Sequence, residues 1–360
     1  MRELARLECE QPSRPVGAAI WLVVALSVAY HASSLAQGRP GPTHGTLVVE
    51  RVVYASPGVT GVVGAVVRPD GTAFLVESTG AIVEVSRNGE RRRIAQLDSS
   101  AVAVAAPLPM TASASDVIVY DARESVVLRI AIGDGRIART PLAGIVETAH
   151  GLGAIGDRLL LAGYSPHAPS FAVHEFELPD LRYVRSFGAA RSFRDSTDRV
   201  ALTGGTLNVM PDGTVLFAEL NPPRVEVLSR NGEHLLSCTP REPFDIAESV
   251  AVNIVHLRTS RADSTGAILA SADSTVARGL TNAFPASRGA AQLGNGLLVL
   301  AAFDIRSRAL RLTVFDKRCV SLREATLAAD LWIVGVDSSS RLSALRTYGD
   351  QDLVAYRVAP

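Results

Sequence analysis

Four carboxylates, Glu77, Asp121, Glu219 and Asp304, stand at matching places in this chain, each at the end of an apolar run. If the runs are equivalent strands set around one axis, their acids converge. Converging carboxylates could begin to supply the roughly six to eight oxygen ligands that Ca2+ takes, which makes Glu77, Asp121 and Glu219 the candidate metal ligands. The preferred reading is plainer: each acid accepts hydrogen bonds from the backbone of its own loop, which explains the periodicity without a ligand. One copy carries Gly163-Tyr164 at this place, a gap in any ring of acids. His150 and Arg288 each stand seven residues before a turn marker, at 157 and 295, and are expected to face one opening. His150 is the candidate catalytic base, against the commoner role of a satisfied loop histidine. Arg288 suits an anionic group or an ion pair with Glu219. His150, Arg288, Glu77 and Glu219 form the candidate ligand-binding set.

Other motifs reduce to structure. His150-Gly-Leu-Gly-Ala-Ile-Gly156 contains a literal G-x-G-x-x-G. A dinucleotide site needs that loop to open a helix, whereas Arg158 to Ala162 reads as a strand, so the glycines are expected to pack an inner strand closely. His167 and His174 lack metal-ligand spacing. No G-x-S-x-G, P-loop, C-x-x-C, H-E-x-x-H or calcium-loop pattern occurs, and no N-x-S/T sequon.

The elements that must position these residues come from an internal repeat. Val67 to Ile94 (VRPDGTAFLVESTGAIVEVSRNGERRRI) returns from Val209 as VMPDGTVLFAELNPPRVEVLSRNGEHLL. Each copy has a Pro-Asp-Gly turn, an apolar run, a polar break, an alternating run and an Asn-Gly turn. Asn-Gly supplies the positive φ angles of a two-residue hairpin, so the chain folds back there into antiparallel meanders. Weaker copies start near Asp116, Asp157, Asn295 and about position 340. Their markers are 41 to 55 residues apart except for one gap of 83 between 212 and 295.

That period suits four strands and their turns, and blades packed around an axis bury both faces of each meander. The fold class is therefore all-β, a six-bladed β-propeller. Residues about 240 to 285 are either a long excursion, which is favoured, or a decayed seventh blade. The last copy makes three strands and stops. Gly45 to Tyr54 is expected to supply the fourth and close the ring.

On these residues the chain resembles six-bladed propellers of the NHL and TolB-like type, in which a DG turn, an apolar strand, an acid and a V-x-V strand recur blade after blade. The resemblance spans about residues 46 to 360. It implies a fold shared by lactonases and by partner-binding platforms. A lactonase-like hydrolase would place Glu77, Asp121 and Glu219 on its metal with His150 nearby as base, but the asparagines such sites favour have no clear counterpart.

The domain reading begins with residues 1–36. Val16 to Tyr30 is an uncharged run, short for the roughly 20 apolar residues of a membrane span, and Ser34-Leu35-Ala36 offers small residues for cleavage. The segment is expected to be either a signal peptide cut after Ala36, the favoured reading, or an uncleaved membrane-anchor helix. Residues 37–45 are a linker and 46–360 the propeller. Either way the propeller lies outside the cytoplasm, periplasmic or secreted.

Lys plus Arg and Asp plus Glu both number 36, so the chain lacks the electrostatic footprint of a nucleic-acid binder. Arg91-Arg92-Arg93 should guard an outer strand edge. Cys238 and Cys319 are placed near outer strands of neighbouring blades. Because outer strands diverge, two separate buried thiols are favoured over a bridge. The functional expectation is an exported binding platform for a protein, peptide or glycan on the channel face, with no resident cofactor. The metal-dependent hydrolase (Ca2+) and a structural envelope component are the alternatives.

Overall fold

The computed structural model describes residues 47–54, 61–98, 107–142, 144–192, 199–200, 203–220, 222–241, 287–304, 309–327, 331–346 and 352–358. The signal-or-anchor segment, the linker and the 242–286 stretch lie outside them.

Six four-stranded antiparallel sheets make the domain. Blade 1 is β2 (Val62–Val67), β3 (Ala73–Glu77), β4 (Ala81–Val85) and β5 (Arg91–Gln96). Blade 2 is β6 (Met110–Ala112), β7 (Asp116–Asp121), β8 (Val126–Ala131) and β9 (Ile137–Pro141). Blade 3 is β10 (Thr148–Ile155), β11 (Arg158–Tyr164), β12 (Phe171–Glu177) and β13 (Arg182–Ala189). Blade 4 is β14 (Gly205–Val209), β15 (Val215–Glu219), β16 (Val225–Leu228) and β17 (His234–Cys238). Blade 5 is β18 (Ser287–Gln292), β19 (Leu298–Asp304), β20 (Ala309–Phe315) and β21 (Ser321–Leu327). Blade 6 is β22 (Leu331–Val336), β23 (Arg341–Arg346) and β24 (Leu353–Val358), completed by β1 (Leu47–Tyr54).

The closing strand is where the sequence puts it. β1 runs antiparallel to β24, with Leu47 opposite Val358 and Tyr54 opposite Leu353. The core is distributed as six clusters, each shared by two adjacent blades. Blades 1 and 2 meet through Phe74, Ile82, Val117 and Leu128, and blades 6 and 1 through Tyr54, Leu345, Leu353 and Leu75. Blades 4 and 5 pack directly on each other through Leu216, Ala218, Leu300 and Phe315. No seventh blade fits between them, and the ring has six blades among the described residues. Because every sheet is covered on both sides, second strands such as β3 and β15 are buried at nearly every position. This is why they read as continuous apolar runs rather than alternating ones.

The first two glycines of the G-x-G-x-x-G run lie on β10, a strand, and Gly156 turns the chain into β11 at φ 58°. A Cβ on Gly151 would stand 2.4 Å from the Gly205 carbonyl oxygen, so the glycine lets blades 3 and 4 approach at the axis. Arg91–Arg93 lie exposed on β5, with Arg92 paired to Glu84 at 2.6 Å.

One expectation is overturned. Cys238 and Cys319 form a disulfide, with Cα atoms 4.6 Å apart. Both lie at outer strands of neighbouring blades as expected, but the divergence of those strands does not separate them. Cys319 sits in the turn between the third and fourth strands of blade 5, at φ 63°. In blades 2 and 4 the matching turn also leans back over the outer strand of the preceding blade. Gly135 does so in blade 2, where an added Cβ would lie 2.3 Å from the Ile94 carbonyl oxygen on β5. Gly232 in blade 4 lies against Phe187 on β13, 2.5 Å from an added Cβ. Cys319 on Cys238 is the same contact made covalent.

His174 is fully buried on β12, with Nδ1 2.7 Å from Ser186 Oγ and Nε2 3.1 Å from the Gly163 carbonyl oxygen. Burial pushes its pKa below the ordinary 6.5. The unfolded chain therefore binds a proton below about pH 6.5 that the folded chain resists, so this stabilisation is complete above that pH and is lost as the pH falls toward the folded pKa. Thermal melts at about pH 7.5 and about pH 5 should show a larger loss for the parent than for His174→Gln. Equal losses would remove His174 from the acid sensitivity.

Candidate functional site

In each sheet the first strand is an edge strand, paired on one side only. Its other side faces the axis. Six such edges enclose a channel of about 530 Å3, bounded by residues from all six blades. Its walls therefore carry backbone N–H and C=O groups outside the sheet ladders; some are met by the next blade, as where Leu108 N–H donates to the Val63 carbonyl oxygen at 2.7 Å, and the others take partners from water or a ligand. Side chains vary this wall: Met110, His150, Asn208 and Trp332 from inner strands, and Arg68 and Asp212 from the turns that follow β2 and β14.

Of the four residues expected to bind ligand, His150 lines this channel. It is half-buried, beside Gly204, where an added Cβ would lie 2.9 Å from His150 Cδ2. Arg288, near the start of β18, is 3% exposed, and its guanidinium carbon lies 4.5 Å from the Trp332 ring centre and 5.5 Å from that of Phe303. It backs the channel wall through Trp332.

The recurring acids are used within the fold. Glu77 accepts a hydrogen bond from Tyr54 at the end of the closing strand. Burial, with the Glu77 carboxylate alongside, pushes the Tyr54 hydroxyl up to about 12, so it remains a donor across the physiological range. Glu219 is 5% exposed and pairs with Arg224 Nη2 at 2.6 Å. Its pKa is raised because burial outweighs that guanidinium. Asp121 is 2% exposed and accepts from the Arg123 backbone N–H at 2.9 Å, and burial again pushes it up. Asp304 pairs with Arg311 at 3.0 Å. Asp121 thus matches the loop-bonding reading, whereas Glu77, Glu219 and Asp304 are engaged by side chains. Among the described residues no three His, Cys, Asp or Glu side chains come together as a metal site. The donor set for a Ca2+ ring is not assembled there.

The sequence reading passed over Arg230. It belongs to the turn between β16 and β17, yet it lines the channel by laying its side chain across Gly213, where an added Cβ would be 3.1 Å from Arg230 Cδ. The repeat held the signal, since its twin Arg87 lies over Gly71 in the same way, 3.4 Å from an added Cβ. Asn208, whose Nδ2 donates to the Ala290 carbonyl at 3.3 Å, was likewise missed.

No family model matches the chain. No curated protein matches it. Among solved structures it is similar to a streptogramin B lyase, with 9% identity and a TM-score of 0.47 over 86% of this chain and 97% of that one. It is also similar to virginiamycin B lyase from Staphylococcus aureus, at 10% identity and a TM-score of 0.47 over 86% and 98% of the two chains. The WD40 β-propeller domain of Doa1 gives 12% identity and a TM-score of 0.44 over 86% and 96%. At these identities and scores the likeness says nothing of ligand or reaction. What the strands, their register and the six shared core clusters establish is the architecture: the chain is an all-β, six-bladed propeller.

Proposed function

We propose that this propeller is an exported or membrane-tethered binding platform that takes part of a protein, peptide or glycan into its central channel. The observation that carries the reading is the channel itself. Its volume, about 530 Å3, falls within the roughly 300–1,000 Å3 of small-ligand sites, and its walls offer the inner strand edges of six blades, which lie outside the sheet ladders. An extracytoplasmic location is supported by the Cys238–Cys319 disulfide, because such bonds persist in oxidising compartments. The NHL and TolB-like pattern of the repeats agrees with a platform role. No observation favours the hydrolase, whose intended ligands Glu77, Asp121 and Glu219 are each occupied inside their own part of the ring.

Ala154 lines the channel and is partly exposed, so Ala154→Trp should obstruct it without cutting the core. Peptide and glycan arrays probed with the parent and with this variant are expected to lose their hits in the variant while its melting temperature holds. A variant that keeps every hit would put the binding surface elsewhere. Alkylation of intact cells should leave Cys238 and Cys319 unlabelled until a reductant is added. Labelling without reductant would contradict export.

A further inference from the structure

The two nearly identical repeats allow a comparison that separates what folding needs from what it does not. They form blades 1 and 4, which stand opposite each other in a ring of six. In both, the turn aspartate serves the turn: Asp70 Oδ1 accepts from Thr72 N–H and Asp212 Oδ1 from Thr214 N–H, each at 2.8 Å. In both, an arginine from the next hairpin lies over the turn glycine. There the copies part. Arg87 donates to Ser339 Oγ at 3.3 Å, tying blade 1 to blade 6. Arg230 is exposed, lines the channel, and its guanidinium has no hydrogen-bond or ion-pair partner among the described residues. Its backbone oxygen alone is used, by Arg185 Nη2 at 3.2 Å.

The charge around it is lopsided. The Arg, Lys, Asp and Glu residues that line the channel are Arg68, Arg230 and Asp212, two cationic side chains to one acidic one, and one Asp212 oxygen is used by its turn. Arg68, on the opposite wall, lies over the Phe74 ring at 5.1 Å and donates to the Ser113 carbonyl oxygen, so its charge is fixed in place. A cleft with a surplus of one sign and low-dielectric walls concentrates ligands of the other sign, and a guanidinium recognises a carboxylate through paired N–H donors. The rest of the wall is strand edge, which complements peptide backbone. The channel's one tryptophan, Trp332, is 8% exposed and covered by Arg288, so it offers little face for a sugar ring to stack on.

Resting on the channel-binding reading above, we propose that the ligand is a short acidic peptide segment, one carboxylate of which is held by Arg230 at the end of the channel formed by the turns after the first strands, with Arg68 adding its field from across the axis.

The test is calorimetric titration of the whole chain, at low salt, with tri-glutamate, tri-glutamine, digalacturonate and digalactose. Tri-glutamate should bind, weaken about tenfold or more in Arg230→Gln, keep its affinity in Arg87→Gln, and weaken as salt rises. Digalacturonate binding as well as tri-glutamate would overturn the peptide assignment. Tri-glutamine binding equally well, and being blocked by Ala154→Trp, would overturn the anion assignment while leaving the channel reading in place. Tri-glutamate binding that survives Arg230→Gln places the carboxylate elsewhere, and failure of all four probes to bind defeats both readings.

Discussion

A chain beginning at residue 55 should fail to fold cooperatively. Removing β1 strips β24 of its partner along Leu47–Tyr54 and takes Tyr54, 3% exposed, out of the cluster between blades 6 and 1. Each lost backbone hydrogen bond costs about 0.5–1.5 kcal/mol, and burial of an aromatic side chain contributes about 2 kcal/mol more. The sum, on the order of 5 kcal/mol or above, rivals the whole stability of many domains, about 5–15 kcal/mol. The bared β24 edge is also a template for association. Expected are aggregation, a broadened denaturant transition, and rescue by a synthetic peptide of residues 45–56 added in trans. A truncated protein that stays monomeric and melts like the parent would show that ring closure contributes little.

Breaking the Cys238–Cys319 bond should produce the second-largest loss. The bridged residues are 81 positions apart. In the chain-entropy account a loop of that size restrains the unfolded state by about 4 kcal/mol. Cys238 is fully buried and Cys319 packs against the same cluster, so the double alanine variant adds a packing loss that simple reduction does not. Melts with and without reductant, beside the Cys238→Ala/Cys319→Ala double variant, separate the two parts. Reduction should lower the transition by several degrees and the double variant by more. A transition unmoved by reductant would mean that the bond contributes nothing to stability.

The architecture was legible because it rests on local rules. Asn88-Gly89 and Asn231-Gly232 mark hairpins, although only the glycines take positive φ, 85° and 78°, in three-residue rather than two-residue loops, and the unfinished last copy points to Gly45–Tyr54 as its missing strand. The disulfide was not legible, because the overlap of one blade's turn on its predecessor's outer strand is a property of the packed ring and leaves no mark in a single repeat. Site residues were harder still. The periodic acids looked functional because they recur, but recurrence in a repeat follows equally from recurring structural duty, as Glu219 with Arg224 shows. Arg230 and Arg87 match in sequence, and only the setting of their guanidiniums sets them apart.

The pairing of β1 with β24, which joins the first strand to the last blade, has a further result. With each core cluster shared by two neighbours, the series has no terminal member, and a blade could not be added or dropped without changing the angle between every adjoining pair.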